Sequence, residues 1–120
     1  MAKVVFVGME QADARQICRG LDADSHHIEH QPHSIAIEDL HDADIVFAGG
    51  ENSYNLSLLK RVRQVRPTLP FVVVTRAPET REWLDALEAG ATDYCSMPIG
   101  TRELHWLLET ALPRPRFAAV

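Results

Sequence analysis

The sequence has few cysteines and no long apolar segment, and both absences limit what the protein can be. Its two cysteines, Cys18 and Cys95, are far apart, and neither stands at metal-ligand spacing. We expect two free, buried thiols, as is usual in a cytosolic protein. No hydrophobic run reaches membrane-spanning length, and the apolar N-terminal run is too short for a signal peptide. These features predict a cytoplasmic protein that makes no membrane contact.

Positive charge is also scarce. The chain has 12 Lys and Arg residues against 17 Asp and Glu residues, which gives a net charge of −5. This balance argues against direct nucleic-acid binding by this domain. The 120 residues, 46% hydrophobic and 24% charged, suit a single globular domain with one core.

Apolar segments with two different periodicities alternate along the chain. Short β-branched runs, typical of buried strands, alternate with stripes at helical spacing. Strands are predicted over 4–7, 27–30, 45–48, 71–75 and 92–97, and helices over 14–21, 34–40, 56–66, 78–90 and 101–112. This alternation predicts a doubly wound α/β domain with a parallel sheet and five helices. The domain is predicted to span residues 1–112, and residues 113–120 to form a tail or the start of a linker.

Three segments resemble the receiver domains of response regulators. The stretch "ALEAGATDYCSMPIGTREL", residues 86–104, is similar to the last third of a CheY-like receiver. The stretch "LPFVVVTRA", residues 69–77, resembles the fourth strand, and "AKVVFVGME", residues 2–10, resembles the first. The resemblance implies a flavodoxin/CheY-like fold with a five-stranded parallel sheet of order 2-1-3-4-5.

The resemblance also shows which chemical groups this chain lacks. Such receivers use an acidic pair and an acceptor carboxylate around Mg²⁺, together with a lysine that pairs with the phosphoryl group. By position, the acidic pair falls on Gly8 and Met9, and only the neighbouring Glu10 is acidic. The acceptor falls on Gly49 and the lysine on Met97. The sequence therefore predicts a degenerate receiver, or pseudo-receiver, that has no catalytic residue, no metal site and no cofactor.

Two residues of the family's switching apparatus are kept. Thr75 matches the switch hydroxyl, and Tyr94 matches the aromatic residue that moves with it. The resemblance also implies a cis peptide bond between Met97 and Pro98. We expect an atypical receiver in bacterial-type two-component signalling that acts through protein–protein contacts without accepting a phosphoryl group.

Two other functions remain open at this stage. Glycines crowd the point at which doubly wound folds bind ligands, so Gly8, Gly49, Gly50 and Glu51 form a candidate loop for a small ligand such as a nucleotide. Against this, glycine also serves simply to shape such loops. A receiver that accepts a phosphoryl group on displaced acids is the third hypothesis.

Histidines cluster in the second strand and just after it. His26, His27, His30 and His33 fall within eight residues, and His41 follows. Imidazoles bind Zn²⁺ or Ni²⁺, but alternation along a strand sends these side chains to both faces. We therefore expect a solvated polar strand near a sheet edge and no metal site.

Aromatic residues mark a candidate interface. Trp106 lies about 200° from Leu104 around the last helix, opposite the apolar stripe. Trp83 on the preceding helix and Tyr94 on the fifth strand are expected on the same side of the domain. Because aromatic residues are enriched at interface hot spots, we predict self-association or partner binding through the fourth helix, the fifth strand and the fifth helix.

Overall fold

Five parallel strands form the centre of the fold in the order β2-β1-β3-β4-β5, as predicted. The computed structural model describes residues 2–21 and 26–111, so the predicted boundary at 112 and the tail over 113–120 lie outside the described residues. The strands are β1 (Lys3–Val7), β2 (His27–Gln31), β3 (Ile45–Ala48), β4 (Phe71–Thr75) and β5 (Asp93–Ser96).

Helices cover both faces of this sheet. They are α1 (Gln11–Gly20), α2 (Asn52–Val65), α3 (Thr80–Glu88) and α4 (Thr101–Ala111). Alternate residues of each central strand point to opposite faces, so Val4 and Phe6 pack in the core under α1 and α4. Val5 and Val7 pack in the core under α2 and α3. The apolar runs of β1, β3 and β4 are continuous because these strands are buried on both faces.

The predicted second helix differs from the observed structure. Residues 34–40 contain only a 3₁₀ helix, Ile37–Leu40, so the described residues form four α-helices instead of five. Its hydrogen bonds are short-range: the Asp39 N–H donates to the Ala36 carbonyl oxygen. Just after this helix, the Arg66 guanidinium donates to the carbonyl oxygens of Leu40 and Ala43, at 2.8 and 2.6 Å. These bonds hold the turn against the end of α2.

Arg63 joins the carboxyl ends of α2 and α3. Its Nε donates to the Gly90 carbonyl oxygen at 2.9 Å, and a terminal nitrogen donates to that of Arg66 at 3.1 Å. Gly90 has a φ of +101° and follows the last turn of α3, so the predicted glycine cap is confirmed. Burial lowers the pKa of Arg63, since its side chain lies between the two helix ends.

The histidine-rich strand lies at the edge of the sheet. β2 pairs only with β1, and His27 and His30 on it are exposed. The predicted solvated edge strand is therefore confirmed. No helix in residues 2–21 and 26–111 is long and apolar enough to span a membrane.

Candidate functional site

The positions named by the resemblance meet at the carboxyl edge of the sheet. Val7 pairs with Ala48, and Ala48 pairs with Val73, so the loops after β1, β3 and β4 leave the sheet side by side. The Gly49 N–H donates to the Val7 carbonyl oxygen at 2.9 Å, which fixes the start of the β3 loop. The fold thus brings together the loops in which a receiver carries its acids.

His33 occupies the space beside Gly8. Gly8 has a φ of +62°, and a Cβ built on it would collide with the His33 ring. The ring is held in place, because its Nε2 lies 2.7 Å from Asn55 Oδ1 and it packs on Tyr54 with centroids 5.5 Å apart. An acidic side chain at position 8 would require both a strained backbone and the removal of this imidazole.

Met9 fills the space beside Gly49. A Cβ built on Gly49 would lie 2.8 Å from the Met9 sulphur and 3.5 Å from Val74 Cγ2. Gly49 is buried, and Met9 packs against the core under α1 and α4. The position that corresponds to the phosphoryl acceptor is therefore backed by a thioether and a methyl group. Neither group coordinates Mg²⁺, which prefers oxygen ligands.

Arg76 pairs with Glu10, the acidic residue next to the positions of the implied acidic pair, and with Asp13 of α1. Its guanidinium nitrogen lies 2.9 Å from Asp13 Oδ1 on α1 and 3.2 Å from Glu10 Oε2. A second nitrogen, Nε, donates to both oxygens of Asp13 at 3.1 Å. Hydrogen bonding to Asp13 raises the pKa of Arg76, with further attraction from Glu10. Glu10 thus forms an exposed ion pair with Arg76.

The turn after β5 has the predicted cis peptide bond between Met97 and Pro98. Met97 is 9% exposed and belongs to the core under α1 and α4. Gln16 of α1 fixes the following residue through two bonds: its Nε2 donates to the Ile99 carbonyl oxygen at 2.7 Å, and its Oε1 accepts from the Ile99 N–H at 2.9 Å. An apolar side chain and an amide clamp thus stand where the resemblance implies a lysine.

Thr75 and Tyr94 both hold the loop between β4 and α3. The Ala77 N–H donates to Thr75 Oγ1 at 3.2 Å, and the Glu79 N–H donates to the Tyr94 hydroxyl at 3.4 Å. Both hydroxyl groups therefore act as acceptors for the backbone of one loop. A switch-like motion of this pair stays a prediction, and the alternative is that both side chains serve only in packing.

A cavity of about 280 Å³ opens beside this edge, between α2 and α3. Its walls come from the β3 loop, the first turn of α2, the end of β4, α3 and β5. The lining residues are Gly50, Glu51, Asn52, Asn55, Val73, Val74, Thr75, Glu82 and Tyr94. Of the four loop positions predicted for a ligand, Gly50 and Glu51 line this cavity, whereas Gly8 and Gly49 are covered by His33 and Met9.

The described residues contain no cluster of potential metal ligands. Among residues 2–21 and 26–111, no three His, Cys, Asp or Glu side chains come together at a distance that suits a metal ion. His33, the one histidine of the cluster that reaches the site, bonds to an asparagine.

Apolar side chains are exposed on the helices that flank β5. Trp106 on α4 is 57% exposed and Trp83 on α3 is 43% exposed, and Leu84 and Leu87 of α3 are exposed as well. The prediction that Trp106 lies off the core stripe is confirmed, and Tyr94 is half-buried. The partners of this surface remain a prediction.

Sequence reasoning missed how the site is filled. The sequence presents His33 only as one member of a histidine cluster, and it gives no indication of the contacts that Met9 and Arg76 make. The one usable signal was the coincidence of three glycines with bulky neighbours in the same loops, because a glycine is needed where another side chain lies close to the backbone.

Several solved structures share this architecture. Chemotaxis protein CheY4 of Vibrio cholerae superposes with a TM-score of 0.77 at 18% identity, covering 93% of this chain and 99% of that one. A CheY-like protein, TadZ, of Pseudomonas aeruginosa gives 0.76 at 20% identity, covering 96% and 98%. An orphan response regulator of H. pylori gives 0.72 at 21% identity, covering 93% and 97%. The fold is that of a CheY-like receiver domain. No family model matches the sequence, and no curated protein matches it.

Proposed function

We propose that this chain is an atypical receiver domain that works in signal transduction through protein–protein contacts and does not accept a phosphoryl group. The fold supports the general assignment, since the structures it resembles are receivers and response regulators. The site supports the more specific proposal that the domain does not accept a phosphoryl group. Phosphoryl transfer needs a carboxylate nucleophile and oxygen ligands for a cation, whereas Gly8, Met9 and Gly49 stand at the positions where the resemblance implies these groups.

The observation that carries this proposal is the packing at Gly49. The Met9 sulphur lies so close to Gly49 that any side chain there must displace it. The neighbouring site at Gly8 is closed by His33, and Glu10 is bound by Arg76. Three separate contacts therefore engage the loops in which the resemblance implies the acids, and of these the contact between Arg76 and Glu10 is exposed. A site refilled in this way is a packed part of the domain, and chemistry is not needed to explain it.

Incubation with acetyl phosphate and Mg²⁺ tests the proposal. We expect the intact mass of the protein to stay unchanged, while a receiver that accepts phosphoryl groups from the same reagent gains the mass of one group. An adduct mapped to an aspartate or glutamate would overturn the proposal and would favour acceptance on a displaced acid such as Glu51.

The interaction surface follows from the exposed apolar residues on α3 and α4. Trp83, Leu84 and Leu87 lie within two turns of one helix, and Trp106 lies on the other helix that flanks β5. Exposed large apolar and aromatic side chains that lie close together on a helix are typical of interaction surfaces. We place the contact with a partner, or with a second copy of the chain, on this α3–β5–α4 face, and expect it to form without phosphorylation.

A second candidate function is favoured by the cavity between α2 and α3. It lies at the position where doubly wound folds bind ligands, and two of the predicted loop residues, Gly50 and Glu51, line it. Under this alternative the domain senses a small molecule. Ligand titration separates the two functions, because a pure interaction module binds no small molecule there.

A further inference from the structure

Negatively charged side chains line the cavity between α2 and α3. Two carboxylates, Glu51 and Glu82, line it, and among residues 2–21 and 26–111 no lysine or arginine does. The carboxylate of Glu82 makes no ion pair or hydrogen bond with the described residues. The carboxylate of Glu51 accepts only a long hydrogen bond of 3.4 Å, from the Ser53 hydroxyl group. Arg76, which follows the lining residue Thr75, is bound to Asp13 and Glu10 on the side of α1. Such a lining repels phosphates and attracts cations.

A buried amide supplies the cavity with a hydrogen-bond donor. Asn55 is 1% exposed, and its Oδ1 is bonded to His33. Its amide nitrogen has no hydrogen-bond partner among the described residues, yet it is not sealed from solvent, because no fully buried side-chain atom there lacks a partner. Since Asn55 lines the cavity, this nitrogen is the group left to donate into it. A donor held in place in this way is available to an occupant that accepts a hydrogen bond.

We propose that this cavity binds a small organic molecule that carries a protonated amine together with a hydrogen-bond acceptor. The amine lies between Glu51 and Glu82, and the acceptor receives the hydrogen bond of Asn55. The volume of about 280 Å³ lies just below the usual range for pockets that bind drug-sized ligands. It suits a molecule of the size of an amino alcohol or a small amino acid, and the charge of the lining excludes a nucleotide.

Asparagine side chains offer a direct measurement of binding. The chain contains two asparagines, Asn52 and Asn55, and both line the cavity. In a protein labelled with nitrogen-15 at asparagine, the side-chain amide signals therefore come only from the cavity wall. We propose titrating the full chain with ethanolamine and with L-alanine at low ionic strength, with inorganic phosphate and adenosine monophosphate as anionic comparators. We expect saturable shifts of the Asn55 amide signals with an amine and none with the two phosphates.

Two neutralising variants locate the amine. Glu51→Gln and Glu82→Gln keep the size of each side chain and remove its charge, and each is expected to weaken the affinity for ethanolamine about fivefold, as for a partly exposed ion pair. Glu88→Gln is the matched control, because Glu88 lies on the same helix as Glu82, is exposed and does not line the cavity. Its affinity should equal that of the unmodified chain.

Several results would overturn the proposal. These are the absence of saturation with both amines at millimolar concentration, equal shifts with phosphate or the nucleotide, or an equal loss of affinity in Glu88→Gln, which would show attraction to the overall negative charge. The inference is independent of the proposed interaction function. If no amine binds and no phosphoryl group is accepted, the interaction module stands and the ligand site does not.

Discussion

The contact between Gly8 and His33 predicts a strong coupling between two substitutions. Replacing Gly8 with alanine places a Cβ in the space of the His33 ring, at a residue whose φ is +62°. The ring has to move, and its bond to Asn55 Oδ1 is lost. The substitution therefore acts on the backbone at one residue and on a buried hydrogen bond at another.

Both effects have an expected size. A left-handed conformation at a residue with a Cβ costs about 1.5 kcal/mol. Leaving the buried Asn55 oxygen without its donor costs about 1.5 kcal/mol more. We therefore expect Gly8→Ala to lower the free energy of unfolding by about 3 kcal/mol, the sum of these two costs.

Replacement of His33 separates the two costs. His33→Ala removes the same hydrogen bond and lowers the free energy of unfolding by about 1.5 kcal/mol. In the double variant the ring is already absent, so the alanine at position 8 adds only the backbone cost. The double variant should be about as stable as Gly8→Ala alone, which corresponds to a coupling energy of about 1.5 kcal/mol.

Urea unfolding followed by circular dichroism measures these values in a domain of this size. Gly100→Ala is the control, since Gly100 has no positive φ and no atom within 4 Å of an added Cβ. Its stability should change by less than about 0.5 kcal/mol. Additive effects, with the double variant destabilised by about 4.5 kcal/mol, would refute the account of His33 as the residue that closes the site.

Two further predictions concern the α3–β5–α4 face and a buried thiol. Trp106→Glu should weaken self-association or partner binding by more than about 1 kcal/mol and leave the fold intact, as measured by light scattering over a concentration series. Val65→Glu, the same type of change at an exposed residue of α2, should have no effect, and an equal effect of both would place the interface elsewhere. Burial raises the pKa of Cys95 from 9.0 to about 12, so the folded state favours the thiol, and its contribution to stability is full below pH 9 and falls as the pH rises towards 12. Cys95→Ala should flatten this part of the pH profile of urea unfolding, and an unchanged slope would assign the loss to other groups.

The strand order and the helix faces follow from local patterns that the sequence states directly. The continuous apolar run from Phe71 to Val74 requires a strand buried on both faces, and the structure has it. The position of Trp106 opposite Leu104 follows from helical geometry alone. The missing helix after β2 could not be predicted in this way, because the bonds that hold this segment come from Arg66, which is distant in sequence.

The content of the site was predictable only in part. The loss of acids at Gly8 and Gly49 can be read from position, because the resemblance places them. The side chains that fill the site cannot be predicted from position. The contacts from His33 to Asn55 and from Arg76 to Asp13 join residues 22 and 63 positions apart. Local periodicity carries no information on such pairs, which depend on how the loops settle on the sheet.

The bond from Arg63 to Gly90 has a mechanical consequence for α3. The carboxyl end of this helix is fastened to α2 by a guanidinium with two carbonyl partners, whereas near its amino end the Glu79 N–H makes one long bond to Tyr94. A swing of α3 about this fastened end would have its pivot at Gly90. Any swing of α3 then displaces Glu82 and Trp83 further than it displaces Leu87. Glu82, which lines the cavity, and the exposed Trp83 would therefore move together.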